Sequence, residues 1–416
     1  MPTRPGDGVA RRAPSRPRRR RSDRAVQNDG RILAAALSVL RDDGYDGLGM
    51  SHVARAAGLN STGALYGRFE NVAELAVWVW TERASQALRE VSERAIALLD
   101  ADAIDETALA EARALATSLT APDDALRAAI ELLAVAPRVE ELEEVVRPDV
   151  HALLEAAGAA RDDRPVRRAQ VLGQLSLAWG LGLLSLPPAG PPVEWWMFVA
   201  GSIGLSHVQA PRSKKATPIL TALPAPDTGE PVRDVVLQAA AEVVAKTGFE
   251  RATVSRIARR AGYSTGVIYE YYERKDDMIA ELVSVLLENL YDLIADLERT
   301  LLHDGQLADD AGRLLAGYAL PESRQLQQLK VELYLAAAHR PEVGEVLGRV
   351  LEHHTARQLE TFEAAGLSGP EAHLAPSAGR AIDHGIALVE RIARPLVDVD
   401  WSLYMRAIVE RNVSPA

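Results

Sequence analysis

Cysteine is missing from all 416 residues, which removes disulfides and thiolate chemistry and suits a reducing cytoplasm, the location expected here. Aromatic residues make up only 5% of the chain, and apolar ones, chiefly Ala and Leu, nearly half. With no alternating Val, Ile and Thr to form strands, the expected fold class is all-α. No uninterrupted apolar run reaches the roughly 18 residues a membrane span needs. The most apolar stretch, Leu175 to Leu186, is broken by Ser and Gly and stopped by Pro187-Pro188, so it reads as a buried helix. Also missing are a Gly-x-Ser-x-Gly elbow, a His-Glu-x-x-His pair and a phosphate-cradling glycine loop. His353-His354, His373 and Asp383-His384 are candidate metal ligands by composition. Adjacent histidines diverge on a helix, however, and no His-x3-His pair aligns two on one face. No metal, no cofactor and no enzymatic activity is therefore expected.

Charge is present but uneven. The net charge is −11, yet Arg4, Arg11, Arg12, Arg16, Arg18 to Arg21 and Arg24 crowd the amino-terminal residues. No apolar segment follows, so this is not a secretory signal. Interspersed Pro and Gly make residues 1–26 an expected disordered arm. Two readings of it stay open: a DNA-binding arm acting through phosphate contacts and counterion release, or a solvated tail.

The most informative stretch runs from Thr253 to Lys275. Thr253 is placed to cap a helix whose Val254, Ile257, Ala258 and Ala261 share one face. Gly262 ends it where a residue without Cβ can turn left-handed. Ser264 restarts the chain as the next cap, and Val267, Ile268 and Tyr271 or Tyr272 supply the buried side of a second helix. Two helices around a short glycine turn form a helix-turn-helix. The run Gly262-Tyr263-Ser264-Thr265-Gly266-Val267-Ile268-Tyr269, then Tyr272 and Lys275, resembles the DNA-binding signature of the tetracycline-repressor (TetR) family of bacterial regulators.

The pattern recurs about 204 positions earlier: Gly44-Tyr45 matches Gly248-Phe249, and Met50, Val53, Ala54 and Gly58 match Val254, Ile257, Ala258 and Gly262. After one inserted residue, Tyr66 pairs with Tyr269 and Phe69 with Tyr272. Glu131 resembles Glu332, and Gly180 and Trp196 resemble Gly385 and Trp401. So constant a displacement points to two whole TetR-like units in one chain. Each is expected to be a three-helix helix-turn-helix domain followed by a helical ligand-binding and dimerisation domain. The expected boundaries are 27–72 and 73–208, a proline-rich linker at 209–230, then 231–276 and 277–413. The linker's two dozen residues can reach about 80 Å.

Helix 1 is expected at Gly30 to Asp43 with Ile32, Ala35, Ala36, Val39 and Leu40 inward, and at Val232 to Lys246 with Val232, Val235, Val236, Ala239, Ala240, Val243 and Val244 inward. The first reader, Met50–Ala57 and Ser61–Arg68, departs from the pattern. Gly49 replaces the capping Thr, the turn is one residue longer, and Val72 stands in place of Lys275. His52 in this region is read as an ordinary surface residue.

What the resemblance implies is a protein whose partner is a double-stranded DNA operator. Thr253, Ser264, Thr265, Gly266, Tyr269 and Lys275 are its expected DNA contacts, with Ser61, Thr62, Gly63, Tyr66 and Arg68 in the corresponding places. The resemblance also implies a pocket in each larger domain for a small, mostly apolar effector. Glu131 and Trp179 would line the first, and Glu332, Tyr334 and His384 the second, although a residue of this kind is more often a hydrogen-bonded core residue. The last helices would form either a pseudo-dimer within the chain or a homodimer. A ligand-responsive repressor is the leading expectation; the rival is a scaffold for small molecules or proteins that has lost DNA binding.

Overall fold

The structure is a computed structural model and describes residues 23–160, 163–187, 195–208, 218–219, 224–303, 307–364, 370–393 and 396–412. Most of the arginine-rich arm, Pro188, Pro191 and Pro192, and much of the linker lie outside the described residues, as does the side chain of His373. Among the described residues there is no strand, and no helix is long and apolar enough to cross a membrane.

The first half carries α1 (Asp23–Asp43), α2 (Met50–Ala56), α3 (Gly63–Tyr66), α4 (Val72–Val79), α5 (Ser85–Leu99), α6 (Glu106–Thr120), α7 (Asp124–Val135), α8 (Glu140–Ala156), α9 (Pro165–Leu184) and α10 (Trp195–Gly201). The second carries α11 (Pro231–Thr247), α12 (Val254–Ala261), α13 (Thr265–Tyr271), α14 (Lys275–His303), α15 (Leu307–Tyr318), α16 (Arg324–His339), α17 (Pro341–Ala364), α18 (Pro370–Ala393) and α19 (Ser402–Asn412). The halves repeat one plan. A π-helical turn, Trp80–Ala84, divides between α4 and α5 what is the single α14 in the second half. Such a turn accommodates an extra residue without ending the helix. Trp80 is anchored there by its indole N–H, which donates to Asp149 Oδ2 at 2.8 Å.

Helix starts follow local chemistry. Asp105 and Asp123 accept backbone N–H groups at the starts of α6 and α7, and Pro165 and Pro231 occupy first-turn positions where a missing N–H costs nothing. Helix α1 begins seven residues before the expected Gly30, because nothing in Asp23–Asp29 breaks a helix and one interior glycine costs only about 1 kcal/mol. Its expected inner face, Ile32, Ala35, Ala36, Val39 and Leu40, is buried. On α11 the buried arc is rotated from the expected stripe. Val235 is exposed, while Leu237 and Ala241 are fully buried, because α16 as well as α12 packs on this helix.

The two halves meet most extensively where α9 lies along α18. A Cβ at Gly180 would lie 1.7 Å from the Ala381 carbonyl oxygen, and one at Gly385 would lie 1.7 Å from that of Ser176. The displacement that carries Gly180 to Gly385 also carries Ser176 to Ala381, so each helix makes the same contact on the other. That is the reciprocity of a two-fold interface, here formed within one polypeptide. Helix α19 and the segment before it extend the junction: Tyr404 Oη donates to Gln174 Oε1 at 3.2 Å, and Arg168 pairs with Asp398 at 3.0 Å.

A second, polar junction joins the ends of α7 and α16. Glu131 of the first half pairs with His339 of the second at 3.1 Å, and Glu332 of the second half pairs with Arg138 of the first at 3.5 Å. Glu131 and Glu332 are counterparts, and so are Arg138 and His339, both displaced by 201 (332 from 131, 339 from 138). The pairs are therefore swapped across the same pseudo-two-fold axis. Both carboxylates are nearly fully buried.

Candidate nucleic-acid interface

Each half exposes one short helix after a left-handed glycine turn. In the second half, Thr253 caps α12 by accepting from the Arg256 N–H at 3.4 Å. Gly262 ends that helix at φ 79°, ψ 19° with open space around it, so the turn there requires positive φ without crowding. Ser264 has the extended backbone of a cap residue, but its side chain makes no capping hydrogen bond, contrary to expectation. Ile268 and Tyr272 face inward, while Thr253, Ser264, Thr265, Gly266 and Tyr269 are exposed. The Tyr269 ring is 58% exposed, unusual for an aromatic residue with nothing covering it.

Lys275 is placed differently from the free ammonium expected at a phosphate. It is largely buried, donates to the Phe249 carbonyl oxygen at 3.0 Å, sits 3.9 Å from the Phe249 ring centroid and lies 3.7 Å from Glu250. Burial depresses its basicity, partly offset by Glu250. The lysine ties the start of α14 to the loop after α11, aligning the reader with the helix that carries it. Exposed cations that sequence reasoning passed over lie on α12: Arg256, Arg259 and Arg260. Arg256 and Arg259 line, with Lys246, Gln325 and Gln328, an open groove of about 700 Å³ between α11, α12 and α16. The signal was readable as three arginines in five residues.

In the first half the inserted turn residue shortens the second helix. Instead of Ser61–Arg68, α3 runs from Gly63 to Tyr66, after Thr62 in a helical conformation and without a side-chain cap. Gly58 again takes positive φ, 62°, and Arg31 closes the end of α2 by donating to the Ala57 and Gly58 carbonyl oxygens. Ser61 and Gly63 are exposed and Thr62 is half-buried. Tyr66 is 60% exposed, nearly the same as Tyr269. Arg68 pairs with Asp29 and lies 4.9 Å from the Trp78 ring centroid, so it is held against its own domain.

The five expected effector residues do not come together as two equivalent pockets. Glu131 and Glu332 sit at the polar junction instead. Glu131 accepts from the Tyr45 N–H and pairs with His339, and Glu332 accepts from Arg391 at 3.1 Å. The cavity beside them holds about 30 Å³, room for about one water, so it is too small for an organic effector. Trp179 is fully buried and donates to Ser92 Oγ at 3.0 Å. Only Tyr334 and His384 meet, ring edge to face with centroids 4.6 Å apart.

His384 Nδ1 lies 2.8 Å from the Arg380 carbonyl oxygen and donates to it, leaving Nε2 an acceptor without a partner. Burial, reinforced by Lys330, pushes the imidazole down to about 4. An unfolded imidazole titrates near 6.5, so between those values the unfolded chain binds more protons and stability falls as pH falls. From pH 7.5 to pH 5 this residue is expected to account for about 2 kcal/mol of destabilisation. Urea melts of the wild type and His384→Gln at both pH values check it; equal pH slopes would exclude the effect.

The sequence comparisons bear on this geometry. The model of the family described as bacterial regulatory proteins, tetR family, matches residues 32–77 and 236–282, one segment per half, each spanning the exposed short helix. The "Fatty acid metabolism regulator protein" of Bacillus subtilis is 36% identical over 63 residues, covering 15% of this chain and 31% of that protein. "HTH-type transcriptional regulator BetI 2" of Chromohalobacter salexigens is 33% identical over 89 residues, 21% of this chain and 42% of that protein. The chain thus spans well under half the length of these curated relatives. Crystal structures of TetR-family proteins from Mesorhizobium loti and a Rhodococcus species are 18% and 21% identical, with TM-scores of 0.31 and 0.33. They cover 39% and 44% of this chain and 97% and 98% of their own. The family's domain is thus matched once in each half, so the chain carries two tandem copies of the domain of the tetR family of bacterial regulatory proteins.

Proposed function

We propose that this protein is a DNA-binding transcriptional regulator, a ligand-responsive repressor that grips one operator with two unequal readers carried by a single chain. The observation that supports it most is the matched exposure of Tyr66 and Tyr269 on the two family-matched segments. Each reader would enter a major groove, its tyrosine hydroxyl reaching a phosphate and Thr265-Gly266 or Thr62-Gly63 lying at the base edges. Arg256 and Arg259 add cations beside the second reader, whereas Arg68 of the first is already paired, so the second would bind more tightly. Because the units meet through α9 and α18 within one chain and their readers differ, the operator would be asymmetric. Domain limits follow the helices: a reader ending near residue 72 or 276, then a helical body.

Selection of bound sequences from a random DNA pool tests this. Tyr269→Ala is expected to weaken binding about tenfold, the worth of one phosphate hydrogen bond, and Tyr66→Ala by less. Affinity should fall steeply with salt. Salt-independent binding, or no change in either variant, would reject the regulator reading. One observation favours the scaffold reading: Lys275 and Arg68, both expected at DNA, are engaged inside the protein. That reading requires no salt-dependent DNA affinity at all.

A further inference from the structure

The two larger domains share a plan but differ in what fills them. In the second half, Gln327, Lys330 and Tyr334 of α16 face Arg380, Asp383 and His384 of α18, and all six are buried. Lys330 pairs with Asp383, which also accepts from Gln327 at 3.0 Å. The registers set by Glu131 with Glu332 and by Gly180 with Gly385 identify the first-half counterparts. They are Leu126, Ala129 and Leu133 on α7 and Leu175, Ala178 and Trp179 on α9 (327 − 201 = 126; 380 − 205 = 175). These too are buried. Each of these six polar positions is thus apolar in the first half, so the fold does not need the polar set.

That set is costly. Arg380 Nε, Gln327 Oε1 and His384 Nε2 are buried without a hydrogen-bond partner, and the buried hydroxyls of Tyr334 and of the neighbouring Tyr291 on α14 have no partner but each other. Each such group opposes folding, and leucines at these places would not. Arg380 bonds only neutral groups, Thr355 Oγ1 at 3.2 Å and Gln358 Oε1 at 3.3 Å. A buried guanidinium calls for an anion. Its free Nε–H and the tyrosine pair, in which one O–H can satisfy the other oxygen and the second is left over, put at least two free donors in one cluster, walled by the Tyr291 ring stacked on His354 at 4.1 Å.

We propose that the second half alone holds the effector site, that it takes one small aromatic carboxylate per chain, and that the first half is a filled, insensitive counterpart. The carboxylate accepts from Arg380 and the tyrosine hydroxyls. The cluster is buried, so entry parts α14 from α16 and α18. Helix α14 begins at Lys275, directly after the second reader, and displacing it at Tyr291 would move that reader and leave the other in place.

The regulatory consequence rests on the regulator reading; binding itself is measured on the full chain without DNA. Calorimetric titration with benzoate, and with the neutral isostere benzamide, is expected to give one benzoate per chain and at least tenfold weaker benzamide binding. Tyr291→Phe with Tyr334→Phe should weaken benzoate at least tenfold while leaving the melting temperature nearly unchanged, because the two hydroxyls have no partner but each other and removing both strands neither. Two sites per chain, no benzoate binding, equal affinity for benzamide, or an unaffected double variant would each overturn the proposal. A gel shift on the same samples separates the two readings: DNA binding without benzoate binding sinks the sensor alone, and the reverse sinks the regulator alone.

Discussion

Gly180→Ala is expected to lower the unfolding free energy by about 3 kcal/mol, the upper range for overpacking a tight core. In an open helix the same change stabilises by up to about 1 kcal/mol, since alanine loses less backbone freedom. Here the new methyl would lie 1.7 Å from the Ala381 carbonyl oxygen, backbone that cannot swing aside as a side chain would. Relief requires α9 and α18 to separate along their length. Gly385→Ala should behave alike, because it meets Ser176 at the same distance. The internal control is Gly379, on α18 with nothing within 4 Å of its Cβ position, where alanine should be neutral or stabilising. Urea unfolding of the three variants reads the difference. If Gly180→Ala and Gly379→Ala shift the midpoint in the same direction, the close crossing of the two halves is wrong.

Glu332→Leu is expected to cost about 3–5 kcal/mol, the penalty for breaking a buried ion pair from one side. The group it strands is Arg391. That guanidinium is 4% exposed, already has Nε and one terminal nitrogen unpartnered, and donates to Glu332 as its carboxylate. Arg138 is less affected, because it keeps a bidentate pair with Asp46 at 3.0 Å. The counterpart Glu131→Leu should cost less, about 1–3 kcal/mol. The chief loss there is the acceptor for the Tyr45 N–H, a neutral donor, whereas Glu332 faces a buried guanidinium. Adding Arg391→Leu to Glu332→Leu should recover most of the loss, since neither charge then stays buried alone. A double variant no more stable than Glu332→Leu would show that this carboxylate acts through packing instead. Because the swapped pairs touch Tyr45 of one helix-turn-helix domain and lie beside Phe249 of the other, both single variants should also loosen the relative placement of these domains, measurable under the proposed function as reduced DNA affinity.

Much of this was legible in the chain. The periodicity of α1, the Thr253 cap and the Gly262 stop each depend on a few neighbouring residues, and local rules suffice for those. The duplication was visible because whole turns recur with their spacing intact. Side-chain destinations were harder. Lys275 and Phe249 are 26 positions apart, and only folding brings the ammonium onto that ring and carbonyl rather than toward a phosphate. The extra residue between Gly58 and Gly63 was readable, but not that it would shorten α3 to one turn. Glu131 and Glu332 were noticed as buried acids on apolar helices, a pattern that fits a ligand pocket as well as a junction.

By itself, then, the sequence determined the all-α class, the two-fold repetition and the surface that faces outward at Tyr66 and Tyr269, since helix periodicity, glycine turns and composition act over a few residues. Only the tertiary structure decided how the copies join: glycine against carbonyl between α9 and α18, and acids exchanged between the ends of α7 and α16. It also decided that one larger domain is filled with leucine and tryptophan while the other keeps unpaired polar groups. The physical reason is that burial and hydrogen-bond satisfaction are properties of neighbours distant in the chain, and a single strand of letters does not state who those neighbours are.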